Sequence, residues 1–224
     1  RSKSIYRKKP HLKYLFLIGY FFGVGFFVSG TYWITNALTF DPNFQKLIPF
    51  AFVLIPLTLG VFFGLMSIIF AGHLRNNFSS VLLFSLMLSV NDFFRSKVLT
   101  GFPWNLWAYS LSWFDEFLQI LNPIGLFSFN LIVITLFSIP AVFFFNNKKN
   151  SIFILLFSII IAISIYFYGS YKVNTNQILI NKSNIEKSIN FKIVSPSFNI
   201  QYNLNDEQVQ SQLKDLIKYS DPDK

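Results

Sequence analysis

Five stretches of this 224-residue sequence are apolar over roughly the length a bilayer demands, because a helix rising about 1.5 Å per residue needs roughly 20 such residues to cross. They are Tyr14 to Ile34, Leu47 to Ala71, Val81 to Leu99, Ile124 to Phe145 and Ile152 to Tyr168. The third contains Asn91, Asp92, Arg95 and Lys97 and is still read as a span. Only 13% of the residues are charged and 30 are Phe, whereas an ordinary soluble domain carries about 25% charged residues. A water-soluble core of this size would leave much of that apolar surface exposed, so lipid must be part of the solvent. The first run is too long for a cleavable signal peptide and lacks a small-residue cleavage site at its end.

Orientation follows from the basic residues in the short connections. Arg1, Lys3, Arg7, Lys8, Lys9 and Lys13 precede the first span, Arg75 follows the second, and Lys148 and Lys149 separate the fourth from the fifth. If five spans alternate, all of these share one side, while the opposite loops hold Asp41, Lys46, Asp115 and Glu116. The basic side is therefore expected in the cytoplasm and the C-terminal tail outside. Trp33, Trp104, Trp107 and Trp113 all fall on the outer side, as an aromatic belt or a specialised surface would require. The net charge of +9 is thus a matter of topology. No basic face of a folded domain points to nucleic acid.

From Tyr171 onward the sequence turns polar and Asn-rich, so residues 1–170 are expected to form the membrane domain and residues 171–224 the start of a water-exposed one. Phe191 to Phe198 reads as a strand with turn chemistry at Pro196. Asn205 and Asp206 can cap a helix in which Val209, Leu213, Leu216 and Ile217 recur at helical spacing. One strand and one helix cannot close a core, so an α/β domain continuing past Lys224 is expected. The absence of Cys excludes a disulfide, a thiolate metal site and a cysteine nucleophile within this stretch. His11 and His73 have no neighbours in sequence suited to metal binding or triad chemistry, and no cofactor is expected.

Polar residues within the spans concentrate in the third. Asp92 and Arg95 stand three apart on one helix face, where pairing reduces the cost of leaving water. Two readings are open: Arg95 contacts an anionic headgroup or polar substrate with Asp92 orienting it, or the two form a structural ion pair that locks helices. Gly101, Phe102, Pro103 and Trp104 follow as an interfacial turn, with Gly permitting unusual backbone shapes and Pro ending the helix. Gly19/Gly23 and Gly60/Gly64 are small-xxx-small pairs expected to let helices approach closely.

Taken in order, Gly25 to Ile34 (GFFVSGTYWI), Asn91 to Arg95 leading into Leu99 to Trp104 (LTGFPW), Ala108-Tyr109-Ser110, Leu118-Gln119 with Gly125, and Ile193 to Gln201 (IVSPSFNIQ) resemble the apolipoprotein N-acyltransferase family. The sequence departs where that family usually has Glu at the position of Asp92, and where Ser195 and Ser197 break a strand motif closer to VQPNIPQ. The resemblance implies a mainly α, multi-pass bundle of five transmembrane spans. It would be followed by the first strand and helix of an αββα nitrilase-like domain on the periplasmic face of a bacterial inner membrane. It further implies an internal piece of a longer enzyme that moves an acyl chain from a phospholipid donor to a diacylglyceryl lipoprotein acceptor. In that family a Cys thioester carries the acyl group, within a Glu–Lys–Cys triad lying outside this stretch. No residue here is thus assigned as catalytic, and the piece alone is expected to be inactive. Asp92, Arg95, Gly101, Phe102, Pro103, Trp104 and Gln119 are candidates for walls or supports of a lipid-facing cavity. A transporter or channel subunit is the alternative from a different class; it would place polar residues along several helices. A membrane-anchored nitrilase-fold amidase is a third possibility.

Overall fold

The structure, a computed structural model, describes residues 11–98, 101–144, 148–183, 193–196, 198 and 204–220. The long helices are α1 (Leu12–Thr31), α2 (Ile48–Phe70), α3 (Phe78–Arg95), α6 (Leu126–Ser138) and α7 (Lys148–Ser183), with short α4 (Asp115–Leu118) and α5 (Leu121–Ile124) between α3 and α6 and a separate α8 (Asp206–Ser220). Tighter 3₁₀ turns extend several of these, at Tyr32–Thr39, Ala71–His73 and Ile139–Phe144, and another, Trp107–Leu111, stands between α3 and α4. Among the described residues five helices are long and apolar enough to cross a membrane: Leu12–Thr39, Gln45–His73, Phe78–Arg95, Leu126–Phe144 and Asn150–Asn181.

Local chemistry explains most of the boundaries. Pro49 sits in the first turn of α2, where its missing N–H is no loss. Asn77 caps α3 by accepting from the Ser80 N–H at 3.2 Å, and Gly125, at φ +76°, opens α6. Pro140 then meets the end of α6, where the helix tightens into the 3₁₀ turn.

α1 and α2 form the most extensive helix pair, followed by α3 with α6, and α2 joins the two pairs through α3. The α1–α2 contact is built on the small residues expected from the sequence. Gly19 faces Ser67 and the Phe63 carbonyl, Gly23 faces Phe63 and Gly60, and the Phe16 ring covers Gly64. Phe27, Phe63, Met87, Leu88 and Ile134 form the core where α1, α2, α3 and α6 meet. A Cβ on Gly23 would lie 2.8 Å from Phe63 Cβ and 3.0 Å from Gly60 Cα, whereas one on Gly25 would meet nothing within 4 Å. Gly23→Val is accordingly expected to lose about 1–3 kcal/mol of stability by overpacking. Thermal unfolding in detergent checks this, with Gly25→Val as the variant that should unfold near the wild-type temperature.

Two expectations meet different outcomes in the C-terminal part. The fifth helix runs past the apolar span ending at Tyr168 and takes in the polar residues from Tyr171 to Ser183, where a separate domain was expected to begin. Residues 170–183 contain no Pro or Gly to end it, and polarity alone does not break a helix once it leaves the bilayer. The strand expected over Phe191–Phe198 is not found: Ile193–Pro196 and Phe198 carry no strand, and the other residues of that segment lie outside the described ones. No strand occurs among the described residues, so the nitrilase-like sheet has no counterpart there. α8 forms where expected, with Asn205 and Gln208 capping each other: Gln208 N–H donates to Asn205 Oδ1 at 2.8 Å, and Asn205 N–H donates to Gln208 Oε1 at 3.0 Å.

Candidate functional site

α3 carries its polar residues into the interior, where a charge must find partners. Asn91, Asp92 and Arg95 are buried, and the last two are 0% and 1% exposed. Arg95 Nη2 donates to Asp92 Oδ1 at 2.9 Å. The other carboxylate oxygen, Asp92 Oδ2, accepts from Asn130 Nδ2 at 2.9 Å. Asn130, on α6 and fully buried, uses its own Oδ1 to accept the Ala108 backbone N–H at 2.9 Å. One continuous network therefore links α3, α6 and the turn beginning at Trp107.

The same guanidinium holds the loop that follows α3. Arg95 Nη1 donates to the carbonyls of Phe102, at 2.6 Å, and Trp104, at 2.7 Å. The Phe102 N–H returns to the Arg95 carbonyl at 2.9 Å. The Phe27 and Phe102 rings flank the guanidinium carbon at 5.2 and 5.7 Å, adding cation–π attraction to a desolvated charge. Gly101 turns the chain back at φ +79°, and a Cβ there would collide with the Ser96 carbonyl. The Pro103 carbonyl accepts from the Tyr109 hydroxyl at 3.1 Å.

Held in this way, Phe102 and Trp104 form one wall of a cavity of about 540 Å³ whose other wall is the turn carrying Trp33, Ile34, Ala37 and Phe40. Trp33 and Trp104 face each other at 5.2 Å between ring centroids. Trp107 stacks on Phe26 at 5.1 Å, while Trp113 is 88% exposed. The lining is almost wholly apolar and suits a hydrocarbon chain rather than a polar solute. No group of acidic or His side chains able to hold a metal ion occurs among the described residues.

Of the residues singled out in the sequence, the structure brings together Asp92, Arg95, Gly101, Phe102, Pro103 and Trp104. Gln119 stands apart, its half-buried amide donating to the Asp115 carbonyl of its own turn at 3.1 Å. Asp92 and Arg95 form a buried ion pair, and the Arg95 Nη atoms bond to the Asp92 carboxylate and to the Phe102 and Trp104 carbonyls. Asn130 was missed. Its signal was an isolated amide in the apolar run LFSFNLIVITLFS, where a polar side chain needs a partner inside the bundle.

Comparison with known proteins gives a concordant picture. Residues 4–139 match the family model described as the apolipoprotein N-acyltransferase N-terminal domain. A Rickettsia bellii protein named apolipoprotein N-acyltransferase is 34% identical over 161 residues, covering 71% of this chain and 32% of its own length. Its Rickettsia prowazekii namesake is 34% identical over 160 residues, 70% of this chain and 32% of its own. An Allorhizobium ampelinum protein of the same name is 30% identical over 131 residues, 58% of this chain and 25% of its own. This chain thus spans about a third of the length of the first two relatives. No solved structure matches.

Proposed function

This chain belongs to the apolipoprotein N-acyltransferase family, and from that premise we propose that it forms the membrane platform of an N-acyltransferase. In this reading a phospholipid supplies the acyl chain, and the N-terminal diacylglyceryl-cysteine of a lipoprotein receives it. The Cys thioester that carries the acyl group belongs to a periplasmic nitrilase-like domain beyond these residues. The work of this stretch is to present lipid to that domain from the inner membrane.

The observation that supports this role is the loop of Gly101–Trp104, fixed by a buried Arg95 and forming a wall of the cavity with Trp33 and Phe40. Binding energy used at a distance from the reacting atoms speeds a reaction when it orients the substrate. An acyl chain lying between Trp33, Phe102 and Trp104 would hold its ester at the membrane surface, the level at which a periplasmic nucleophile meets it. Arg95 acts in this scheme as a positioning residue, through the two carbonyls it binds, and Asp92 and Asn130 fix Arg95. Gln119 has no part in that chain of bonds.

The test is acylation of a lipoprotein by the full-length enzyme in membranes. Trp104→Ala removes a ring from the cavity wall; losing about 1.5 kcal/mol of apolar contact corresponds to about a tenfold drop in acylation rate at subsaturating phospholipid. Normal acylation by a normally accumulated Trp104→Ala protein would overturn the lipid-platform role of this loop.

A further inference from the structure

The end of the bundle opposite the Arg95 loop carries a site that the acyl-transfer role does not use. Two cavities adjoin there. One, of about 460 Å³, opens beside His73, Arg75, Asn77 and Ser79. The other, of about 470 Å³, is an apolar slot between α3 and the end of α6, lined by Phe84, Phe137, Pro140 and Phe144 among others. Leu74 and Ser80 line both, so a polar cup adjoins a hydrocarbon slot.

The cup is shaped by its own hydrogen bonds. The Arg75 N–H donates to Ser80 Oγ at 2.6 Å, and Asn77 Oδ1 accepts from both the N–H and the hydroxyl of Ser80 at 3.2 Å. His73 Nδ1 lies 3.1 Å from the Ile69 carbonyl. These bonds fold residues 73–80 back onto α3 and leave the Arg75 side chain exposed, with no carboxylate paired to it among the described residues. Segments 11–20, 66–82, 137–144 and 148–152, the described residues of this end, contain Lys13, Arg75, Lys148 and Lys149 and no Asp or Glu. The described residues of this end thus carry cationic side chains and no anionic ones, and the complementary ligand is an anion.

Depth selects the kind of anion. The 18 residues of α3 span about 27 Å at 1.5 Å each, close to the roughly 30 Å hydrocarbon thickness of a bilayer. Its two ends therefore lie near opposite interfaces, with the cup at headgroup level and the slot reaching into the acyl region. A soluble anion would have no use for the slot, and a neutral lipid none for Arg75. We propose that cup and slot together hold one anionic phospholipid of the leaflet opposite the Trp-bearing face, its phosphate at Arg75 and an acyl chain between Phe84, Phe137 and Phe144.

The experiment purifies the protein, exchanges it into mixed micelles with equal phosphatidylglycerol and phosphatidylcholine, and counts retained lipid by native mass spectrometry. Wild type should retain phosphatidylglycerol preferentially. Arg75→Gln should reduce that preference about fivefold, the weight of one cation near an anionic surface, and Arg75→Lys should keep it. Ala141→Trp, which blocks the slot, should lower retention of both lipids. Unchanged unfolding temperatures in phosphatidylcholine micelles alone exclude a folding defect as the cause, and lipid retention reads this site independently of acylation. Equal retention of the two lipids by wild type, or an undiminished preference in Arg75→Gln, would overturn the site. Displacement of the lipid by inorganic phosphate would also overturn it, identifying a soluble-anion site instead.

Discussion

Replacing Asp92 with Ala is expected to lower stability by about 3–5 kcal/mol, because it leaves the Arg95 guanidinium buried without its counter-charge. Arg95 is 1% exposed, its guanidinium enclosed by the Phe27 and Phe102 rings and the 101–104 loop. The loss should appear as reduced protein in the membrane and as a lower unfolding temperature in detergent. A double variant, Asp92→Leu with Arg95→Met, separates the two roles of the pair. Removing both charges together takes away the desolvation penalty along with the attraction, and such replacements are often neutral for stability. The Phe102 and Trp104 carbonyls nevertheless lose the donor that holds them at 2.6 and 2.7 Å. The double variant should therefore lose less stability than Asp92→Ala, keeping only the cost of about 1–3 kcal/mol for the buried Asn130 amide left without its acceptor, yet show altered Trp emission and, on the lipid-platform role proposed above, impaired acylation in the full-length protein. A double variant as unstable as Asp92→Ala would show that the loss comes from something other than an unpaired charge.

Asn130→Leu is the second large effect. It removes the bond to Asp92 Oδ2 and leaves the Ala108 N–H without its acceptor. An unsatisfied buried N–H costs about 1–3 kcal/mol, and a carboxylate stripped of a donor in the same site brings the expected total to about 2–4 kcal/mol. Unfolding temperature in detergent is again the measure, and Gln119→Ala is the internal contrast. Gln119 bonds only within its own turn, so its substitution should stay within about 0.5 kcal/mol of wild type. If the two variants unfolded alike, the network linking α3, α6 and the Trp107 turn would not be a unit.

The spans were legible because hydrocarbon thickness imposes a length, and apolar runs of that length seldom occur in chains that stay in water. The ion pair was legible too, since Asp92 and Arg95 three residues apart on one helix are difficult to accommodate unless they pair. What they pair around was not. Nothing in local sequence links Arg95 to the carbonyls of Phe102 and Trp104, because a backbone acceptor has no side-chain signature and becomes available only when Gly101 reverses the chain. Asn130 escaped for a related reason. A single amide hardly alters the hydropathy of α6, and its importance depends on Asp92 lying across the helix interface, 38 positions away in sequence. The full length of α7 was not legible because hydropathy reports the apolar span, whereas helices end at caps and breakers.

That last difference has a mechanical meaning. α7 has 36 residues, about 54 Å at 1.5 Å each, well beyond a hydrocarbon thickness of roughly 30 Å. Near Gly169 it is clamped against α4, where the Glu116 backbone lies against Gly169 and the Phe117 and Tyr166 rings meet at 5.9 Å. Residues 170–183 extend beyond this clamp as continuous helix. Inserting or deleting one residue there would shift the helix end by about 1.5 Å and turn it through about 100°. The reach and bearing of the helix end at Ser183 are thus set by a count of residues, as the pitch of a screw sets how far and in which direction its tip advances.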